Sequence, residues 1–186
     1  MKKTLDICDL IDNFNRRVAR GAAWLTVVMV LIAAGNAIAR YLGKATGTSL
    51  SSNAWLEAQW YLFSLVFLLG APHALRRGGH VRVDVWLERC SERTRLIVDL
   101  VGGLVLLIPF CLFALITSYE FVVDSVSTME VSPDPGGLAR WPLKLVVPIA
   151  FGLLLLQAIS EVLRRIAALR GVPGAIPMIE EGPQDA

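Results

Sequence analysis

His73 and His80 are the only histidines in this chain of 186 residues, and Cys8, Cys90 and Cys111 are its only cysteines. These residue types could hold haem or zinc or close a disulfide, so their spacing decides whether such chemistry is open. Axial haem ligands must be held inside a helical core, usually on different helices. Both histidines instead lie beside one connection, and no cysteine or histidine spacing matches a metal site or a disulfide framework. Glycine-loop and nucleophile–base motifs are missing too, so nothing in the sequence supports an enzyme. Transport chemistry would place ionisable groups deep in apolar segments, where they bind and release cargo. Here those depths are nearly bare of such groups, and Asn36, Thr117, Ser118 and Gln157 are among the few polar residues there. Asn36, among Ala33, Gly35, Ala37 and Ala39, suits close helix packing.

Glu57 is the deepest carboxylate. Two readings are open to it: a partner for a basic residue on another subunit, or a first-turn carboxylate favoured by the helix dipole and reached by water. His80 and Asp84 read as structural groups at a membrane interface.

The elements that position these residues follow from hydropathy. The chain is 55% hydrophobic and 18% charged, with a mean hydropathy of +0.58, against about a quarter charged for a soluble domain. Crossing a hydrocarbon core takes roughly 20 helical residues. Gly21–Ala39, Ala58–Leu75 (His73 aside), Leu100–Tyr119 and Leu145–Ser160 carry no charge, and the last reaches spanning length by including Trp141–Lys144. The sequence therefore predicts an all-α integral membrane protein with four transmembrane helices, at about 21–41, 54–75, 96–119 and 141–163. Trp24, Trp55 and Trp141 near span ends agree with interfacial aromatic anchoring.

Fourteen basic residues precede span one, join spans two and three, or follow span four; the other two connections hold four, Arg40, Lys44, Arg140 and Lys144. The positive-inside rule thus predicts an N-in/C-in topology, both termini cytoplasmic. The apolar run before Ala37-Ile38-Ala39 is longer than a signal-peptide h-region, which argues against cleavage there.

Before the first span, Ile7, Ile11, Phe14 and Val18 recur at helical spacing. Residues 1–20 therefore read as an amphipathic helix lying in the headgroup plane, or packing on a partner. The paired glycines at 78 and 79 mark a turn, Val81, Val83 and Val85 alternate with charges, and 85–95 reads as a short interfacial helix. Glu120 to Arg140 forms the longest outer connection, broken by Pro133, Pro135, Gly136 and Gly137. Its acidity suits docking of a soluble partner and equally suits a solvated loop. The Pro- and Gly-containing stretch 166–186 reads as a disordered tail.

From about residue 53 to 165 the chain resembles the small permease subunit (DctQ-like) of tripartite ATP-independent periplasmic (TRAP) transporters. The resemblance rests on Glu57 followed by Gly70-Ala71-Pro72-His73-Ala74-Leu75-Arg76-Arg77-Gly78-Gly79-His80-Val81-Arg82-Val83-Asp84. It rests also on Trp141, Lys144, Pro148, Phe151-Gly152 and Gln157 in span four. Asp134-Pro135-Gly136-Gly137-Leu138 is similar to one branch of these subunits.

The resemblance implies a bacterial inner-membrane complex in which a periplasmic substrate-binding protein delivers an organic acid. A large permease subunit would hold the substrate and sodium sites, and this chain would be its static scaffold with no cofactor of its own. Glu57, Arg76, Arg77, His80, Arg82, Asp84, Trp141 and Lys144 become candidates for contact with partner or lipid; nucleic acid is not an expected partner. The alternative is the membrane anchor of a respiratory complex, which the histidine placement disfavours. A small self-assembling exporter would usually need a carboxylate in span one, which has none.

Overall fold

The computed structural model describes residues 2–48, 51–78 and 90–175. Four helices, each long and apolar enough to cross a membrane, organise them: α1 (Lys2–Thr46), α2 (Asn53–Arg76), α3 (Glu92–Ser127) and α4 (Trp141–Leu169). Successive helices run antiparallel. One end of the bundle carries the α1–α2 and α3–α4 connections (the hairpin end); the other gathers the start of α1, the end of α2, the start of α3 and the end of α4 (the termini end). Helix α4 packs against the other three, and α1 also lies along α2. Small and polar residues on α4 permit this central position, since Ala150, Ala158, Ser160 and Ala167 are among its buried residues.

The expected spans sit inside these helices, but the helices are longer. The interfacial helix expected over 1–20 is not a separate element: α1 runs unbroken for 45 residues, about 67 Å at 1.5 Å per residue. Its buried positions Cys8, Asn15, Ala22, Asn36 and Gly43 recur at multiples of seven, the spacing of a seam that stays on one side of a gently supercoiled pair. A seam with one register passes through residue 20, which is why no break occurs there. The seam also reverses the expected polarity. Polar Asn15 is buried, whereas Ile7, Leu10 and Phe14 are exposed.

Helix α3 contains a π-helical segment, Gly102–Leu107, immediately before Pro109. Proline has no N–H to donate and its ring crowds the preceding turn; widening that turn accommodates both. Glycine also lets the segment approach α4 closely, because a Cβ on Gly103 would stand 3.0 Å from Val162 Cγ2. At its other end α3 continues to Ser127, so residues 120–127, expected in the outer connection, are helical. Helix α4 likewise runs through residues 166–169, expected in the tail. His80, Arg82, Asp84, most of the expected 85–95 helix and the tail from 176 lie outside the described residues.

Candidate functional site

The chain's polar chemistry collects at the two ends of the bundle. At the termini end, Asp12 of α1 is the hub. Its carboxylate accepts from Gln157 Nε2 at 2.8 Å and Ser160 Oγ at 3.2 Å. It also pairs with Arg76 Nε at 2.9 Å and Arg164 Nη2 at 2.6 Å. Arg164, its side chain only 3% exposed, reaches Asp9 at 2.6 Å as well. Arg76 of α2 bridges on to Glu161 at 3.1 Å. Arg165 pairs with Glu161 one turn away and with Asp99 of α3 at 3.3 Å. Beneath the charges, Asn15 Nδ2 donates to the buried Gln157 Oε1 at 2.7 Å. One ionic network thus ties all four helices together.

The network exists because the helices present these residues in register. On α4, Gln157, Ser160, Glu161 and Arg164 recur at three- and four-residue spacing and share a face. On α1, Asp9, Asp12 and Asn15 meet that face one turn after another. Four carboxylates face three guanidiniums, so the charges are paired, although the buried Nε atoms of Arg164 and Arg165 have no hydrogen-bond partner among the described residues.

At the hairpin end, Glu57 turns toward its own chain. Its carboxylate accepts from Ser132 Oγ and from the backbone N–H of Leu138, the latter at 2.5 Å. It therefore holds the α3–α4 connection rather than facing open water. That connection doubles back through a bridge between Val131 and Ala139, with Ser132 N donating to Leu138 O at 3.0 Å and Arg140 N to Glu130 O at 2.8 Å. Gly136 turns the chain at φ +71°, a conformation that glycine adopts without strain. Gly137 packs so closely that a Cβ there would fall 2.5 Å from Ser132 Cβ and 2.8 Å from Glu57 Oε2. Tyr61 and Asn53 of α2 bond the carbonyls of Ala139 and Pro135 at 3.1 and 3.0 Å.

Lys144 pairs with Glu130 and stands 4.1 Å from the centre of the Phe121 ring. Lys144, with Ser125, holds the Glu130 carboxyl below its ordinary value of 4.5. A group whose folded-state pKa is depressed stabilises the fold above the unfolded pKa and stops doing so as pH falls through the folded one. Protection of amides 128–140, relative to the intrinsic exchange rate at each pH, is therefore expected to fall when pH drops below about 4.5, and Glu130→Gln should abolish most of that pH dependence. Protection that stays flat with pH in the unsubstituted protein would refute the assignment.

Of the other residues singled out from sequence, Arg76 enters the ionic network at the termini end (the clamp), Trp141 opens α4, and Arg77 caps α2 through its backbone N–H to His73 O at 3.1 Å. Sequence reasoning missed Asp9, Asp12, Asn15, Ser160, Glu161, Arg164 and Arg165 as one assembly. The available signal was the polar stripe on α4 after Leu156. Among the described residues, no group of three or more His, Cys, Asp or Glu could hold a metal ion. Among the described residues neither end offers a nucleophile–base pair, and the arrangement is suited to joining helices.

Comparison with known proteins agrees with this geometry. The family described as Tripartite ATP-independent periplasmic transporters, DctQ component, matches residues 29–168. The chain is 27% identical over 119 residues to the C4-dicarboxylate TRAP transporter small permease protein DctQ of Pseudomonas aeruginosa. That match covers 62% of this chain and 53% of the relative, so the chain spans about half the length of the curated relative. No solved structure matches the chain. The matched region takes in Glu57, Arg76 and Lys144 and the α4 half of the clamp: the chain belongs to the DctQ family, the small membrane component of TRAP transporters.

Proposed function

We propose that this chain is the static, non-catalytic scaffold of a secondary importer in the bacterial inner membrane. A large permease subunit carries the substrate and sodium sites and moves against it, and a periplasmic binding protein delivers an organic acid. The C4-dicarboxylate named for its relative belongs to that class of cargo.

The observation that supports this most is the placement of charge. Ionisable residues concentrate at the two ends, where they bind helix to helix, and among the described residues the apolar middle holds no cluster of ionisable groups. A moving carrier needs the reverse, a binding site at mid-depth and loosely joined halves. The basic residues before α1, between α2 and α3 and after α4 orient both termini to the cytoplasm and anchor that end to anionic lipid at about 1 kcal/mol for each residue that reaches it.

The test is to tag the C-terminus, purify the protein gently from native membranes, and identify its companions. A large polytopic permease is the expected partner. A haem- or flavin-bearing partner, or recovery only as a self-oligomer, would overturn the reading. In reconstituted uptake, Glu57→Ala should lower the rate without altering the order of preference among organic acids. A changed order would mean that this subunit lines the cargo site.

A further inference from the structure

At the hairpin end, α1 and α2 diverge around a cleft of about 470 Å³, lined by Asn36, Arg40, Tyr41 and Lys44 of α1 and by Leu56 and Gln59 of α2. We propose that this cleft binds the headgroup of an anionic phospholipid.

Asn36, Arg40 and Lys44 follow one another at four-residue intervals, so they form a ladder up one wall. Like charges at this spacing repel one another and weaken an isolated helix. Yet neither cation has an ion pair or hydrogen bond within the described residues, whereas Lys144 at the same end is matched by Glu130. Among the described residues, no carboxylate lines the cleft.

The polar groups that remain are mostly donors. Asn36, 5% exposed, accepts Ser51 Oγ at 2.8 Å on its oxygen, which leaves its amide N–H groups available. The Tyr41 hydroxyl, the Arg40 guanidinium and the Lys44 ammonium add donors, while Gln59, whose Nε2 donates to Trp55 O at 3.1 Å, adds an acceptor oxygen. A phosphodiester is an acceptor-only, singly charged group, the complement of such a lining. Leu56 supplies an apolar wall for the glycerol and the first methylenes. The level is also right. The uncharged run Gly21–Ala39 ends at Arg40, and Tyr41 and Trp55 lie beside that boundary, where headgroups meet hydrocarbon.

The full chain is placed in nanodiscs of mixed phosphatidylethanolamine and phosphatidylglycerol, then washed in detergent and weighed by native mass spectrometry. One phosphatidylglycerol is expected to remain bound. Arg40→Gln with Lys44→Gln should reduce its retention about thirtyfold, the combined effect of two basic residues at an anionic surface. Arg40→Lys with Lys44→Arg should preserve retention, and so should Lys2→Gln with Lys3→Gln, which removes equal charge far from the cleft. Leu56→Trp, which fills the cleft and keeps both cations, should also displace the lipid. Equal retention by the Arg40/Lys44 glutamine variant, or equal retention of phosphatidylethanolamine, would overturn the proposal. Complete displacement by inorganic phosphate would do so too, because it would show a free-anion site with no need of a lipid. The result does not depend on the scaffold role: lipid retention is read on this chain alone, and the scaffold is tested by its companions.

Discussion

Replacing Asp12 with alanine is expected to cost the bundle about 3–5 kcal/mol, the range found when one partner of a buried charge cluster is removed. Asp12 accepts from Gln157 and Ser160 and pairs with Arg76 and Arg164. Its loss leaves two guanidiniums with weakened compensation, Ser160 Oγ without its acceptor, and Gln157 Nε2 with only Glu161 at 3.4 Å. The measurement is unfolding of the purified chain by denaturing detergent, followed through tryptophan fluorescence. Asp12→Asn should fall between, since its amide oxygen can still accept from Gln157 or Ser160 but brings no charge. Coupling to Arg164 gives the sharper check. If the two residues act through one another, Asp12→Ala and Arg164→Ala combined should cost clearly less than the two separate losses. Strict additivity would mean that the 2.6 Å pair contributes nothing of its own, and the clamp would reduce to packing. The exposed partner, Asp9, is the internal comparison: with 62% of its side chain exposed, Asp9→Ala should cost 1 kcal/mol or less.

The second large effect is local. With Glu57 replaced by alanine, exchange of the Leu138 amide should accelerate about 10- to 100-fold, the equivalent of removing the acceptor from a part-buried N–H. Exchange in the clamp half of α4, around Gln157, should stay unchanged, because the two polar clusters occupy opposite ends of the bundle. Glu57→Gln should retain part of the protection through its amide oxygen. Gly137→Ala reaches the same connection by another route. The added methyl group would meet Ser132 Cβ at 2.5 Å and the Glu57 carboxylate at 2.8 Å, so the turn must open and release both bonds. If neither variant altered exchange over 128–140, Glu57 would not be the element that fixes the connection.

Both effects would act on how firmly the ends are held, which is the property a scaffold needs. A subunit that resists a moving partner must transmit force along rigid helices, and each cluster removes one way for those helices to splay. The clamp joins all four helices at one end. The Glu57 cap closes the longest described connection at the other.

What the sequence determined by itself is the membrane architecture. Three uncharged runs of near-spanning length, and a fourth that reaches it by including Lys144, leave a helix as the satisfying backbone arrangement, because hydrocarbon offers no partner for a free N–H or C=O. That requirement is local, so Gly21–Ala39 and its three counterparts announced their helices without reference to one another. The family likeness was legible for a related reason, since the run from Gly70 through Arg77 and the α4 pattern from Trp141 to Gln157 are contiguous in the chain. The fate of the polar residues was not legible. Asp12 and Arg164 stand 152 positions apart, and each alone reads as an ordinary charge beyond the end of a span. Only the register between α1 and α4 makes them partners. The same register turned Asn15 inward and Phe14 outward, against the apolar spacing of Ile7, Ile11 and Phe14, because a seven-residue seam shared with the rest of α1 outweighs a short amphipathic pattern. Glu57 shows the division most plainly. Its position near a helix start was readable from the chain, but its two acceptor contacts come from residues 75 and 81 positions away, and only the folded connection brings them to its carboxylate.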